Sequence, residues 1–401
     1  MDQQSDRTEY DRDTPRPWES LSTLGLPNGF GDNILLLRGY DFSSNIYFFT
    51  GPELALVDPG NDYTAFMELA RLGYKLPGIR RIVLTHGHHD HAMGFFELVR
   101  SYPRHAGSFQ LLMHEAGPRE YREFATQVGC TVTLLKNGDA VELGGSVWNV
   151  VHTPGHTVDS ICLHHPASKT AFTGDTVLPQ VMAAADKSAG GRLDYYLFSL
   201  RTLRQCDIDN VLPGHGVPVA ALGKRVIEET YESLMMKIIG VEKTTSWING
   251  AIQLAQKGFL EEAIFCCDKE TAVHPSHIQA LQTKAACLND LGRFEEALQT
   301  IQQINTPPEL GRQYVFVPVA KGYALMGLGN YEESVKLFDQ ALQLQPESRD
   351  ARMYKGIALY LAGRHDEAFE IEIFRTEFEG RFKEQLSAMS SAKPRPPQSG
   401  M

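Results

Sequence analysis

The sequence concentrates histidines in one short tract that directly follows the apolar run RIVL. The tract is THGHHDH at residues 85–91, and it holds four histidines and one aspartate in six consecutive positions. In a loop at a strand end, His86 and His88 can point to one side, while Asp90 and His91 turn toward a second point. Neutral imidazole and carboxylate are ligands that suit Zn²⁺ or Fe. The tract therefore predicts a metal site and not a chance group of surface histidines.

Three further candidate ligands stand singly, each at the end of a predicted strand. They are His156 in HTPGHT, Asp175 in FTGD and His215 in LPGHG. Glycine or proline beside each one turns the backbone sharply and presents the side chain. Alone, each is more typical of an ordinary loop residue. Together with the tract, they complete two cages of the three-histidine type.

The elements that must position these residues are strands alternating with helices. Between residues 30 and 220 the chain is rich in glycine and proline, with short apolar runs such as NIYFFTG, LALVDPG, SFQLLMH and TAFTGD. These runs indicate strands that end in turns or polar loops, and helical patterns such as TAFMELARLG lie between them. This alternation predicts a layered α/β domain, with polar residues at the strand ends.

From about residue 245 the pattern changes to helices only, and one phrase recurs four times. GFLEEAI, GRFEEAL, GNYEESV and GRHDEAF begin at Gly258, Gly292, Gly329 and Gly363, at spacings of 34, 37 and 34 residues. A 34-residue period is typical of helix-turn-helix solenoids, in which the glycine ends the first helix and the alanine or serine lets the second pack closely. The segment up to about residue 378 resembles tetratricopeptide (TPR) repeats. The alternative is an unrelated helical bundle.

The ordered motifs VDPG, HGHHDH, PGHT, TGD and PGHG, between about residues 25 and 220, resemble those of the metallo-β-lactamase fold superfamily. The resemblance implies an α/β fold, a four-layer αββα sandwich with metals at one edge, followed here by an all-α TPR solenoid. It also implies the metal ligands, which are His86, His88 and His156 for the first metal, Asp90, His91 and His215 for the second, and Asp175 as a bridge. Asp58 is implied to support a ligand histidine without binding metal. His89 fills a variable position outside this set.

The same resemblance implies a dinuclear, metal-dependent hydrolase. Two divalent ions, Zn²⁺ in first place with Fe or Mn as alternatives, would share a bridging hydroxide whose pKa they lower toward neutrality. That hydroxide would attack an ester-like bond. Asp175 as the bridging ligand and Asp90 as the residue that orients the nucleophile are the expected catalytic residues.

Asp175 also narrows the expected substrate, because most true β-lactamases of the superfamily lack a bridging aspartate there. The pattern HTPGHT…TGDTVLP…LPGHG is most similar to the glyoxalase II-like branch, which favours a thioester or a lactone. The glutathione-binding tail of true glyoxalase II is not recognisable, so glutathione thioesters are not favoured. A nuclease, an iron-dependent oxidoreductase, and a TPR scaffold with dispensable catalysis remain open as alternatives.

The segment between Asp175 and His215 is expected to border the site, and two of its aromatic residues are candidate substrate contacts. These are Tyr195 and Tyr196. The competing interpretation is that both cap the helix YYLFSLRTLRQC and pack on the core. His114, which ends the run LLMH, has two similar interpretations: a place near the site or a structural role.

Composition and charge exclude several functional classes. The chain has 401 residues and a formal net charge of −11, so nucleic acid is a disfavoured partner. Its six cysteines form no C-x-x-C pair, which favours free thiols in a reducing compartment. The charged start is not a signal peptide, and no apolar run is long enough to span a bilayer. We expect a cytoplasmic protein without membrane association.

The predicted domains are a disordered tail at 1–18, a hydrolase domain at 19–240, about four TPR repeats at 245–385 and a disordered tail at 386–401. The metal site is expected to take a small-molecule substrate. The TPR groove is expected to bind a protein or peptide, or to mediate self-association. Lys284, Lys321 and Lys355 recur at one repeat position. They would form a positive stripe for an acidic peptide, unless they are ordinary solvated lysines.

Overall fold

The structure is a computed structural model that describes residues 18–26, 30–40, 42–240, 246–304 and 315–391, with side chains up to residue 381. The chain divides into two compact units, Met1–Ile238 and Ile239–Met401. The predicted disordered tails lie outside the described residues at 1–17 and 392–401. Within the predicted C-terminal tail, residues 386–391 are helical instead, because no glycine or proline interrupts the helix there.

The first unit contains two sheets, and the first of them has seven strands in chain order. These are β1 (Glu19–Ser20), β2 (Ile34–Leu37), β3 (Ile46–Phe49), β4 (Leu54–Val57), β5 (Ile79–Val83), β6 (Gln110–His114) and β7 (Thr131–Leu135). Strands β1 to β4 pair antiparallel. Strands β4 to β7 pair parallel, and each parallel step requires a crossover connection. Those crossovers are the helices α1 (Tyr63–Arg71), α2 (His89–Ser101) and α3 (Arg119–Gln127).

The second sheet has five strands in the order β12-β11-β10-β9-β8. They are β8 (Ala140–Leu143), β9 (Ser146–His152), β10 (Ile161–His165), β11 (Thr170–Gly174) and β12 (Asn210–Pro213). The pairs from β8 to β11 are antiparallel, whereas β11 and β12 are parallel. The helix α4 (Leu193–Gln205) makes this last crossover, and α5 (Gly223–Ile239) ends the unit.

Alternation along the strands separates the two cores of the first unit. Tyr47 and Phe49 of β3 point into a core between the sheets, which includes Trp148 and Phe172. Phe48 points the other way, into a second core that the helices α1 to α3 cover. This period of two is what a strand buried on both faces requires.

The outer face of the second sheet is covered by α4. Ile161 and Leu163 belong to the core between the sheets, so Cys162 between them points outward. The side chain of Cys162 is buried and lies near enough to Tyr196 of α4 for their charges to interact. The order of layers is therefore helix, sheet, sheet, helix, and the predicted αββα sandwich is confirmed.

The second unit is all helical, as predicted. Its helices are α6 (Trp247–Gln256), α7 (Leu260–Val273), α8 (Ile278–Asp290), α9 (Phe294–Gln302), α10 (Phe316–Gly327), α11 (Tyr331–Leu344), α12 (Arg349–Leu361), α13 (His365–Glu370) and α14 (Glu372–Ser391). The four repeat glycines, Gly258, Gly292, Gly329 and Gly363, end the first helix of each pair with φ between 74° and 83°. Only glycine adopts this left-handed conformation without strain.

Small residues let the helices of this unit approach closely. A Cβ atom on Gly322 would lie 2.8 Å from the ring of Phe338, and one on Gly356 would lie 2.5 Å from Cβ of Phe374. Both phenylalanines are buried. The equivalent position in the preceding repeat is the buried Ala285. Among the helices of the described residues, none is both long and apolar enough to cross a membrane.

Candidate metal centre

The histidine tract lies at the carboxyl edge of the first sheet. Strand β5 ends at Val83, the backbone then runs through His86 to His88, and α2 begins at His89. Asp58 follows the neighbouring parallel strand β4, so it comes to the same edge, because parallel strands end together. The sequence analysis assigned the whole tract to a loop. The structure instead places Asp90 and His91 in the first turn of α2, where the ring centres of His91 and His86 are 4.1 Å apart.

Three imidazoles form the first cluster. His86 Nε2 and His156 Nε2 each lie 3.1 Å from His88 Nδ1. The three residues can offer one ligand atom each to a common point. His156 reaches this point from the turn after β9.

Asp90, His91 and His215 form a second cluster. The distance from His215 Nε2 to Asp90 Oδ2 is 2.9 Å, and that from His91 Nε2 to Asp90 Oδ2 is 3.7 Å. His215 follows β12, which ends at Pro213.

Asp175 lies between the two clusters. Its Oδ1 is 3.3 Å from His91 Nε2, and its Oδ2 is 3.6 Å from His156 Nε2 and 3.7 Å from His215 Nε2. A Cβ atom on Gly214 would lie 2.3 Å from Asp175 Oδ1, so the PGHG turn needs glycine here. The structure thus brings together all seven predicted ligands.

The donor atoms of this site fit a cation. His91 Nε2 and Asp175 Oδ1 are buried, and neither completes a hydrogen bond with the part of the chain that is described. Buried polar atoms are rarely left in this state unless something outside the protein chain satisfies them. Imidazole nitrogens and carboxylate oxygens together are a donor set for Zn²⁺ or Fe.

The shifted pKa values of the site residues also favour a bound cation. Burial lowers the pKa of His86 well below its usual value, and the neighbouring His91 lowers it further. Burial would raise the pKa of Asp175, but His91 and His86 overcome it and hold this pKa well below its usual range. Burial opposes the charge of His91 as well, yet Asp58 and Asp175 raise the pKa of this residue well above its usual value. Asp175 is therefore anionic, and His86 is neutral.

Asp58 takes the supporting place that the motif implied. Its Oδ2 accepts hydrogen bonds from Thr85 Oγ1 at 2.7 Å and from His91 Nδ1 at 2.9 Å. Its Oδ1 accepts one from the backbone N–H of Thr85 at 2.8 Å. Asp58 has a left-handed backbone with φ of 51°, which aspartate tolerates better than most residues.

The sequence analysis missed a second support, in the segment between Asp175 and α4. Asp186 Oδ2 lies 3.0 Å from His88 Nε2, and the carbonyl of Ala184 accepts a hydrogen bond from His156 Nδ1 at 2.6 Å. Hydrogen bonds from Ser188 hold the pKa of Asp186 at about 2. Asp186 is the only acidic residue at positions 176–193, and that isolation was the available signal.

The two tyrosines do not occupy equivalent places. Tyr196 is fully buried, and its hydroxyl donates to the carbonyls of Asp175 at 3.0 Å and Thr176 at 2.8 Å. A substrate contact for Tyr196 was therefore a wrong prediction, because the side chain is enclosed and fixes the Asp175 turn. Tyr195 is 42% exposed, and the guanidinium of Arg192 lies 4.4 Å from its ring centre.

His114 and His89 lie outside the ligand cluster. His114 is buried and stacks on His152, with the ring centres 3.9 Å apart. Its Nδ1 accepts a hydrogen bond from the backbone N–H of Ala116, so its role is structural. His89 is exposed and borders a cavity beside the cluster.

Comparison with protein families agrees with this geometry. The profile of the metallo-β-lactamase superfamily matches residues 39–215. The chain therefore contains a domain of the metallo-β-lactamase superfamily. A tetratricopeptide repeat profile matches residues 319–372. Both resemblances in the motifs are thus confirmed, while the glyoxalase II-like branch stays a prediction.

Individual relatives cover the first unit. An uncharacterized protein of Mycobacterium leprae is 31% identical over 180 residues, which are 41% of this chain and 82% of that protein. An atrochrysone carboxyl ACP thioesterase of Aspergillus fumigatus is 25% identical over 224 residues, 54% of this chain and 66% of that protein. A metallo-β-lactamase family protein of Thermus thermophilus with a solved structure has a TM-score of 0.41 and 21% identity, over 55% of this chain and 86% of that chain. The chain spans 52% to 66% of the length of the fungal relatives that it matches.

Proposed function

We propose that the protein is a dinuclear, metal-dependent hydrolase of thioesters whose TPR repeats recruit a protein or peptide partner. The observation that carries this proposal is the position of Asp175 between two clusters of imidazole and carboxylate ligands. The buried atoms His91 Nε2 and Asp175 Oδ1, which lack hydrogen bonds among the described residues, support two cations at this point. Zn²⁺ is the proposed metal, because five of the seven ligands are imidazoles.

Each of the proposed ligands would have a defined role. His86, His88 and His156 would hold one ion, Asp90, His91 and His215 the other, and Asp175 both. Bound divalent ions lower the pKa of water and stabilise negative charge on a carbonyl oxygen. Asp90 Oδ2 lies 2.9 Å from His215 Nε2, and Asp90 borders the adjacent cavity, so it can orient the attacking water and take up its proton. The products would be a carboxylic acid and a thiol.

The preference for thioesters rests on the relatives and on the motifs. Relatives from several fungi are named atrochrysone carboxyl ACP thioesterases. The motif pattern resembles the glyoxalase II-like branch, which favours thioesters and lactones. A cytoplasmic location agrees with six free cysteines, five of them buried.

The first test combines metal analysis with a substrate panel. Elemental analysis should find about two metal ions per chain, with zinc in excess of iron and manganese. The panel holds thioesters, lactones, simple esters and a phosphodiester. Asp175→Ala should keep the fold by circular dichroism but lower kcat/KM for thioesters by more than about 100-fold, since a ligand matters more than its supports.

Asp194→Asn is the matched control, because Asp194 is half-buried in the same segment and pairs with Arg192. This variant should retain wild-type activity. If metal-loaded protein cleaves nothing in the panel, the TPR scaffold with dispensable catalysis replaces the proposed hydrolase. Cleavage of the phosphodiester alone would instead indicate a nuclease.

A further inference from the structure

An acidic cavity of about 670 Å³ lies directly beside the metal centre. His88 and Asp90 border it on the side of the metal ligands, and Tyr121 borders it as well. Its lining includes the carboxylates of Asp90, Glu120, Asp159 and Asp186. No lysine or arginine is among the described side chains that line it. Apart from the metal ions proposed at its edge, the side chains of the cavity therefore offer hydrogen-bond acceptors and negative charge.

Two of these carboxylates have partners within the protein. Asp90 Oδ2 lies 2.9 Å from His215 Nε2, and Asp186 Oδ2 lies 3.0 Å from His88 Nε2. Glu120 is exposed, so water can solvate it.

Asp159 is different, because it is buried without a partner. It is only 5% exposed, yet among the described residues no donor forms a hydrogen bond with its carboxylate. Its Oδ2 lies instead against two glycines, 3.1 Å from the position that a Cβ atom of Gly87 would take and 3.2 Å from that of Gly117. A buried carboxylate without a donor is unfavourable.

The neighbouring hydroxyl does not satisfy this carboxylate. Tyr121 is close enough to Asp159 to feel its charge, since burial first and then Glu120 and Asp159 raise the pKa of Tyr121 to about 12. However, the Tyr121 hydroxyl donates to the carbonyl of Gly87 at 3.0 Å. Because Asp159 lines the cavity, its carboxylate is available to a hydrogen-bond donor on a molecule that enters there.

We propose that Asp159, assisted by Glu120, is a recognition site for a cationic nitrogen group of the substrate. A carboxylate at the wall of a cavity beside the metal ligands would bind an ammonium group while the ester-like bond lies at the metals. The same wall repels substrates that carry a carboxylate or phosphate near the reacting bond. This proposal rests on the proposed hydrolase function, and it adds the charge class of the substrate.

The test compares three thioesters of similar size. The probes are S-(2-dimethylaminoethyl) thioacetate, whose protonated amine is cationic and carries one N–H donor, its neutral isostere S-(3-methylbutyl) thioacetate, and the anionic S-acetyl-3-mercaptopropionate. The wild-type protein should show a kcat/KM about 10- to 100-fold higher for the cation than for the neutral isostere, which is the size of a hydrogen bond or contact with a charged group. The anion should be the poorest substrate. The preference should appear mainly in KM.

Asp159→Asn should remove the discrimination and leave the fold intact. We expect its kcat/KM for the cation to fall to that for the neutral isostere, while the value for the isostere and the metal content stay at wild-type levels. Glu115→Gln is the matched control, since Glu115 is exposed near this cavity but does not line it. It should keep the full preference.

Two results would overturn the proposal. One is equal kcat/KM for cation and isostere in the wild type. The other is an equal loss for all three probes in Asp159→Asn, which would make the residue structural. If no thioester is cleaved, the hydrolase proposal fails by itself, and equilibrium binding then decides this one. Tighter binding of the cationic probe than of its neutral isostere, lost in Asp159→Asn, supports the site, and equal binding of the cationic probe by the wild type and Asp159→Asn refutes it.

Discussion

The outer nitrogens of three ligand histidines are held by three different acceptors. His91 donates to Asp58, His156 donates to the carbonyl of Ala184, and His88 lies against Asp186. A donor hydrogen bond on the outer nitrogen leaves the lone pair of the inner nitrogen free for a metal. These three acceptors thus set the tautomers of the proposed ligand histidines.

Asp186 offers the sharpest test of this arrangement. Asp186→Asn keeps the shape of the side chain but weakens the acceptor that faces His88. We expect about 10- to 100-fold weaker binding at the site of His86, His88 and His156, with unchanged binding at the other site. Titration with Co²⁺, followed by its absorption spectrum, resolves the two sites.

A separate control variant tests the contribution of the loop that carries Asp186. Ser188→Ala removes the one hydrogen bond from the Ser188 hydroxyl to Asp186 without touching a histidine. Wild-type metal affinity is expected for it. Equal losses in the two variants would mean that loop order, and not the carboxylate, supports the site.

A second residue-scale prediction concerns acid stability. Burial, aided by His152, lowers the pKa of His114 to about 4, below the usual value of about 6.5. As the pH falls from 6.5 to 4, the unfolded chain takes up a proton that the folded protein refuses, so stability is lost in this window. In His114→Asn, the free energy of unfolding should fall by about 2 kcal/mol less than in wild type between pH 7 and 4.5. Urea denaturation at both pH values measures this difference, and parallel pH curves would contradict it.

Much of the site could be predicted from the sequence, because each ligand stands in a short motif at a strand end. Asp186 and Ala184 could not, since no periodic pattern fixes the course of the loop that holds them. Tyr196 was wrongly predicted because aromatic character alone does not distinguish a cavity wall from a buried support. Asp159 follows His156 by three residues, but burial without a donor is visible only in three dimensions.

At the scale of helices and strands, the residue types in the turns were the most useful guide to where strands end. Glycines and prolines after the apolar runs marked the ends of strands β3 to β6 and β9 to β11. The start of α2 was missed because its first turn contains the proposed ligands Asp90 and His91, which form no helical pattern. The edge strand β7 is largely unburied, so it shows no distinct apolar run.

The close contact at Gly356 predicts that a glycine-to-alanine substitution there and one at Gly380 have opposite effects on stability. Alanine there gains helix propensity but places Cβ 2.5 Å from Cβ of Phe374, so we expect a loss of about 1–2 kcal/mol. At Gly380 of α14, no described atom outside the helix's own neighbouring backbone lies within 4 Å of an added Cβ. Gly380→Ala should therefore stabilise the helix by up to about 1 kcal/mol. Urea denaturation followed by far-ultraviolet circular dichroism compares them, and the same sign for both would refute the packing argument.

The proposed lysine stripe is partly neutralised within the repeats. Lys284 pairs with Asp268, and Lys355 pairs with Asp339, each at 2.6 Å. Both aspartates precede their lysine by 16 residues. The corresponding position before Lys321 is residue 305, which lies outside the described residues. An acidic peptide would have to compete with these internal pairs, so this interpretation of the lysines is weakened.

At the scale of the whole molecule, all seven proposed ligands lie in the first of two units. Ligands that bind only the folded state raise its stability. Removal of metal with EDTA should lower the unfolding temperature of the first unit and leave that of the TPR unit unchanged. Differential scanning calorimetry of the full chain, with and without EDTA, measures both transitions. An equal shift of both, or one transition that shifts as a whole, would contradict independent unfolding.

The left-handed backbone at Asp58 limits which residues can replace this aspartate. Glycine would relax the left-handed conformation but would remove the acceptor. Asparagine tolerates that conformation, yet its amide would present a donor or a neutral oxygen to His91, so the wrong nitrogen could carry the proton. Glutamate keeps the charge but is one carbon longer. No single substitution at position 58 thus keeps both the backbone conformation and the charged acceptor. A saturation library at this codon should yield only aspartate among the fully active variants.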